Sequence, residues 1–156
     1  LTWDNENYYL IGYDMDAGKM KHFRVDKMLH IELQDQPREG REEFGRFDLA
    51  QYTKRTFSMF GGAEEKVRIR FPNKYVGVVI DRFGKDVPLR PDGNENFIAR
   101  VDVAVSEQFY GWITGLGREV KILSPDWVAG EYKSLLNDLG RMYSEEDDAH
   151  RRGECR

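Results

Sequence analysis

The chain of 156 residues has one cysteine, Cys155, so no disulfide framework and no Cys/His metal cluster can be drawn. It has no apolar run long enough to span a bilayer and no signal peptide. A reducing, cytoplasmic setting without a membrane partner is the expectation. Nor is there an excess of positive charge. Twenty-four Lys and Arg face 28 Asp and Glu, and the net charge of −4 argues against a chain that coats duplex DNA by bulk electrostatics. Signatures of catalysis are missing as well: there is no Gly-x-Ser-x-Gly elbow, phosphate loop or dinucleotide fingerprint. Gly115-Leu116-Gly117 closes a helix instead of opening one, so it offers no amide donors to a phosphate. The many carboxylates follow no acid–base or metal spacing. We expect no enzyme, no cofactor and no metal site.

What is present can build a core, with 40% hydrophobic and 13% aromatic residues. Two apolar-rich runs, 7–14 and 21–28, flank a turn holding Gly18 and read as a hairpin. In the second run His22, Arg24 and Asp26 share one parity, and Phe23, Val25 and Lys27 the other. The first set makes a polar face and the second a mostly apolar one. The alternation of Met28, His30 and Glu32 against Leu29, Ile31 and Leu33 carries the half-buried strand to about residue 34. The polar face has two readings. It is a solvated row with Arg24 and Asp26 as neighbours, or an anion site in which Arg24 and His22 receive phosphate or carboxylate oxygens. Tyr8 and Tyr9 point to opposite faces, so only one can join Arg24, and spacing does not say which.

Residues 36–46 are dense in charge and read as a linker. A helix follows from Asp48 as N-cap, with Leu49, Tyr52 and Thr56 on one line and Thr53, Phe57 and Phe60 on another, ending at Gly61-Gly62. Val67, Ile69 and Phe71 then alternate with Lys66, Arg68 and Arg70 as a strand. A helix carries Val76, Val79, Ile80 and Phe83 and closes at Gly84. A hairpin turns at Pro91-Asp92-Gly93-Asn94. Its second arm sends Phe97, Ala99, Val101, Val103 and Val105 one way, and Ile98, Arg100, Asp102 and Ala104 the other. Ser106 caps a helix with Phe109, Trp112, Ile113 and Leu116, and Val120 and Ile122 mark a fourth strand. The order strand, helix, strand, strand, helix, strand is that of a ferredoxin-like unit with both helices on one face. A last helix starts with Ser124 as N-cap and Pro125 at its first position. From Ser144 the acidic run and Arg151-Arg152 show no apolar period and read as a disordered tail. Arg68, Arg70 and Arg100 form a second basic face near Asp102 and Lys121. It is either a solvated sheet with a cross-strand ion pair or a lining for a ligand or subunit.

Tyr8-Tyr9-Leu10 followed by Phe23-Arg24-Val25-Asp26-Lys27 resembles the signature of the WYL domain of bacterial helix-turn-helix regulators. Tyr8 stands where the family has Trp, and Lys27 where it has Arg. Lys27 keeps the charge but not the bidentate fork. The segments 109–113 and 120–125 resemble the C-terminal extension that accompanies many WYL domains. The resemblance implies an α+β fold: a partial SH3/Sm-like β-barrel at 1–35, a linker and connecting helix at 36–64, the ferredoxin-like extension with its extra C-terminal helix at 65–144, and a tail at 145–156. It implies that the winged helix and first barrel strands lie upstream, and that a second copy or a swapped strand covers the hairpin's edge. It further implies a homodimeric sensing region whose effector is a nucleotide or single-stranded nucleic acid. Tyr9 or Tyr8, His22, Arg24 and Lys27 would sit at the binding surface, with duplex DNA touched only through the missing N-terminal domain. The alternative is a pure assembly module with no small effector.

Overall fold

The computed structural model describes residues 1–4, 6–37, 39–46, 48–57 and 61–153. Among the described residues, two antiparallel sheets and five α-helices make a mixed α+β fold. The first sheet is a meander of β1 (Thr2–Asp4), β2 (Asn7–Asp14) and β3 (Lys19–Arg24). Gly18, at φ 60°, supplies the left-handed residue that the β2–β3 turn needs. In the register Tyr9 faces Arg24, Leu10 faces Phe23 and Ile11 faces His22.

This register overturns the expected sidedness. Tyr9 and Ile11 are buried, and His22 and Arg24 lie on their side of the sheet, whereas Leu10 and Phe23 are 42% and 43% exposed. β2 is apolar on both faces, so alternation alone could not choose between them. The choice falls to the connecting helix, whose Tyr52 meets His22. The strand also ends earlier than expected. Val25–Lys27 form a 3-10 turn closed by Met28 N–H donating to the Val25 carbonyl. Residues 29–34 form no strand, and Leu29, Ile31 and Leu33 are exposed. Their alternation describes a strand for which no partner exists among the described residues, and an unpaired strand leaves its amides unsatisfied.

The linker carries a short helix, α1 (Arg41–Gly45), where none was expected. Gly40, at φ 71°, packs so close to Tyr13 that a Cβ there would lie 2.8 Å from the tyrosine's own Cβ. The connecting helix α2 (Leu49–Arg55) begins at the Asp48 carbonyl, which accepts from Tyr52 N–H. It stops before Thr56, short of the expected end; Phe60 lies outside the described residues. Gly61 and Gly62 therefore do not cap it. Gly62 instead lets the chain pass Val105, whose carbonyl oxygen would sit 1.8 Å from a Cβ at position 62.

The second sheet holds β4 (Ala63–Pro72), β5 (Leu89–Asp92), β6 (Asn96–Val105) and β7 (Lys121–Ser124) in the order β5-β6-β4-β7, all antiparallel. α3 (Val76–Phe83), entered through a 3-10 turn at Asn73–Tyr75, connects β4 to β5, and α4 (Glu107–Gly115) connects β6 to β7. Ser106 caps α4, its Oγ accepting from Phe109 N–H. Val67, Ile69, Phe71, Val79, Val103, Phe109, Ile113 and Val128 are fully buried in one core. That core lies between the sheet and α3 and α4, leaving Lys66, Arg68, Arg100 and Lys121 exposed on the sheet's other face.

α5 (Asp126–Gly153) starts one residue past Pro125, whose carbonyl accepts from Ala129 N–H. Ser124 belongs to β7, so the cap sits one residue later than expected. α5 also takes in residues 145–153 of the tail expected to be disordered, while 154–156 lie outside the described residues. Between Ser144 and Arg152 there is no proline or glycine, and Glu, Ala and Arg favour helix even without an apolar face. No helix among the described residues is long and apolar enough to cross a membrane.

Candidate functional site

Register settles which tyrosine accompanies Arg24. Tyr9 faces Arg24 across the strands, and Tyr8 lies on the opposite side, its ring edge-on to Trp3 at 4.7 Å. Tyr9 is 8% exposed and cannot serve as a platform for a base. The Arg24 guanidinium is already engaged. Nε donates to Asp26 Oδ1 at 2.9 Å, and Nη2 donates to Asp26 Oδ2 at 2.7 Å and to Asn7 Oδ1 at 2.8 Å. The bidentate bond lowers the pKa of Asp26 below the ordinary carboxylate value. An incoming anion would have to displace that carboxylate. Lys27 lies exposed in the 3-10 turn, off the strand.

His22 faces inward. Its Nδ1 lies 2.7 Å from the Tyr52 hydroxyl, and burial pushes its pKa below the ordinary 6.5 and that of Tyr52 upward. The fold thus favours neutral His22, and the unfolded chain takes a proton first as pH falls. The stability contributed is present above pH 6.5 and declines below it. We expect the melting temperature of the native chain to fall further than that of His22→Gln when pH is lowered from about 7.5 to about 5.5. Equal falls in a thermal scan would remove His22 from this account.

The second basic face gathers more charge than its three predicted residues. Arg68 stands directly opposite Arg100, and Arg70 directly opposite Lys121. Lys66 faces Asp102, yet neither Arg68 nor Arg100 makes an ion pair among the described residues. Of the cross-strand ion pair that the solvated reading includes, the described residues show the 4.0 Å approach of Arg70 to Asp92 and none between an arginine and Asp102. Like charges directly opposite one another destabilise a sheet, so two such pairs side by side are an unfavourable local choice. Arg70 adds a second oddity. Its Nε is buried without a hydrogen-bond partner, a state that costs about 1–3 kcal/mol. Its Nη1 stands 4.0 Å from Asp92 Oδ2, outside hydrogen-bond range. Sequence reading named Lys121 only as a neighbour, and missed Arg118, which lines a cleft at the end of this face with Arg70, Lys74 and Lys121. Arg118 lies in a loop without periodicity, so no pattern pointed to it.

Comparison with known proteins bears on the same region. A family model described as the WCX domain matches residues 63–140, from the start of β4 into α5. Among solved structures, proteasome accessory factor B/C (PafBC) of Arthrobacter aurescens aligns with 15% sequence identity and a TM-score of 0.36, over 80% of this chain and 18% of that chain. The chain thus spans less than a fifth of that protein's length. No curated protein matches. The WCX match takes in half of the sequence, including the whole four-stranded sheet and its basic face, and the chain belongs to the WCX-domain family, the C-terminal extension associated with WYL transcriptional regulators.

Proposed function

We propose that this chain is the sensing and coupling region of a WYL-type transcriptional regulator, and that the exposed face of the β4–β7 sheet takes its anionic effector. The effector class is a nucleotide or single-stranded nucleic acid. One observation carries this reading: the paired like charges Arg68/Arg100 and Arg70/Lys121 on one exposed face. A polyanion relieves the repulsion between such pairs and gains from both members. The hairpin is the weaker candidate for the grip, since Asp26 and Asn7 already occupy Arg24. Tyr9, His22 and Arg24 serve in this reading to seat the first sheet, with Lys27 and Tyr8 left exposed. That sheet is part of an SH3/Sm-like barrel, and the second unit is ferredoxin-like, a reading the order β5-β6-β4-β7 supports. Effector binding would bias the arrangement of a homodimer and so of DNA-reading modules elsewhere in the regulator.

The test is fluorescence anisotropy with a labelled short single strand. Binding should weaken with rising salt, and Arg68→Gln with Arg100→Gln should reduce affinity about tenfold or more and flatten the salt slope by about 1.4. Unchanged affinity and slope in the double variant would overturn the assignment.

A second reading, the pure assembly module, has its own support. Tyr8, Leu10 and Phe23 are exposed on one face of the first sheet, and the exposed Leu29, Ile31 and Leu33 follow without a strand partner among the described residues. It predicts a fixed oligomer mass by light scattering and no anion binding at any salt.

A further inference from the structure

We infer that the cleft at the end of the basic face is a site for a terminal phosphate monoester, with Arg70, Arg118 and Lys121 receiving its oxygens. The inference rests on the anion-binding reading above and adds to it a defined end point. Three separate elements converge there. Arg70 comes from β4, Lys121 is its cross-strand partner on β7, and Arg118 comes from the loop between α4 and β7. The cleft measures about 760 Å³, within the range that holds a nucleotide-sized group.

Its charge is net positive. Four cations line it, Arg70, Lys74, Arg118 and Lys121, against the carboxylates Glu95 and Glu119. Lys74 already holds Glu119 and Arg70 stands 4.0 Å from Asp92, which leaves Arg118 and Lys121 without an ion pair among the described residues. Arg70 is held only at that distance, and its Nε, closed off from solvent, has no acceptor among the described residues, so a ligand in the cleft would meet its Nη groups. A phosphate oxygen supplies an acceptor of the right charge, and a guanidinium offers it a planar fork.

Geometry favours a monoester over a strand's internal diester. A diester presents two free oxygens and one negative charge. A monoester presents three oxygens and a charge near −2 at neutral pH, which suits three cations arriving from three directions. The cleft also lies where the two like-charge rows end. A strand tracking along Arg68/Arg100 and then Arg70/Lys121 reaches it last. The rim carries Asn73, Asn94 and Asn96, whose amides can donate to and accept from a sugar or base edge.

The experiment compares a short oligothymidylate bearing a 5′-phosphate with the same strand bearing a 5′-hydroxyl, each labelled at the 3′ end, against the full chain. The phosphorylated strand should bind about tenfold tighter. Arg118→Gln should bring the ratio close to one while leaving the hydroxyl strand's affinity within about twofold. Arg70→Gln should also abolish the preference, and it guards against a misleading result at one exposed loop residue. Competition then separates the two sources of the phosphate. AMP displacing the strand where adenosine fails identifies a free nucleotide as able to fill the site. AMP failing while the 5′-phosphate preference holds identifies a strand end. Equal binding of both strands, unaltered by Arg118→Gln, would overturn the phosphate site and leave the broader anion face standing. Failure of both strands to bind would overturn the two together.

Discussion

Phe109→Ala is expected to destabilise the chain by about 3–5 kcal/mol, the loss that truncating a fully buried phenylalanine gives. Phe109 is fully buried on α4, with its ring 5.4 Å from Phe57 and 5.5 Å from Tyr110. Phe57 belongs to the connecting segment and meets Trp112 at 5.5 Å and Phe83 at 6.3 Å. Removing the Phe109 ring therefore opens a void between the sheet, α4 and the segment that leads back to the first sheet. A domain's whole stability is of order 5–15 kcal/mol, so the variant should sit near its unfolding midpoint under mild conditions. Phe109→Leu refills most of the space and should lose well under half as much. Urea unfolding followed by tryptophan fluorescence measures both, since Trp112 lies in the same cluster. A loss below about 1 kcal/mol for the alanine variant would mean that this core collapses around the gap.

The contrast between the two sheets shows where a sequence can be read and where it cannot. In the second sheet the pattern is one-sided. Val67, Ile69 and Phe71 alternate with charged residues, and the partner strand alternates in step, so a slip of one residue would bury arginines. Its elements and its basic face were legible for that reason. In the first sheet Tyr8 and Leu10 are as apolar as Tyr9 and Ile11, and either face could have turned inward. A tertiary contact, α2 against His22, decided the matter, and no local pattern encodes it. The strand expected at 29–34 failed for a related reason: alternation states what a strand would bury, and a strand also needs a neighbour for its amides. The candidate site divides in the same way. Arg68, Arg70 and Arg100 could be found from parity. The like-charge pairing of Arg70 with Lys121 depends on how β7 meets β4, which includes a register shift beside Arg68, and Arg118 became visible only through the cleft.

Arg82→Ala is expected to lower stability by about 2–3 kcal/mol and to loosen the connection between the two sheets. Arg82 projects from α3. Its Nη2 donates to the Thr56 carbonyl at 2.6 Å, and its guanidinium carbon lies 4.1 Å from the centre of the Phe57 ring. Burial pushes its pKa down, and the Asp4 carboxylate, at the end of β1, pulls the other way. One side chain thus ties the second unit to the residues that follow α2 and faces a charge on the first sheet. A charge-assisted hydrogen bond contributes about 1.5–3 kcal/mol and a partly desolvated cation–π contact about 0.5–2, and the alanine removes both. Arg82→Lys keeps the charge but loses the fork, so it should recover only part of the stability. Limited proteolysis distinguishes a joint from a mere core contribution. With Arg82 replaced, cleavage between β3 and β4 should accelerate at temperatures where the β4–β7 sheet stays folded. Anion binding should persist, because Arg82 lies on the helical side of that sheet, away from Arg68 and Arg100. A variant that melts earlier yet is cut no faster in the linker would show that Arg82 supports the core alone, and the connection between the sheets would then rest on His22 and Tyr52.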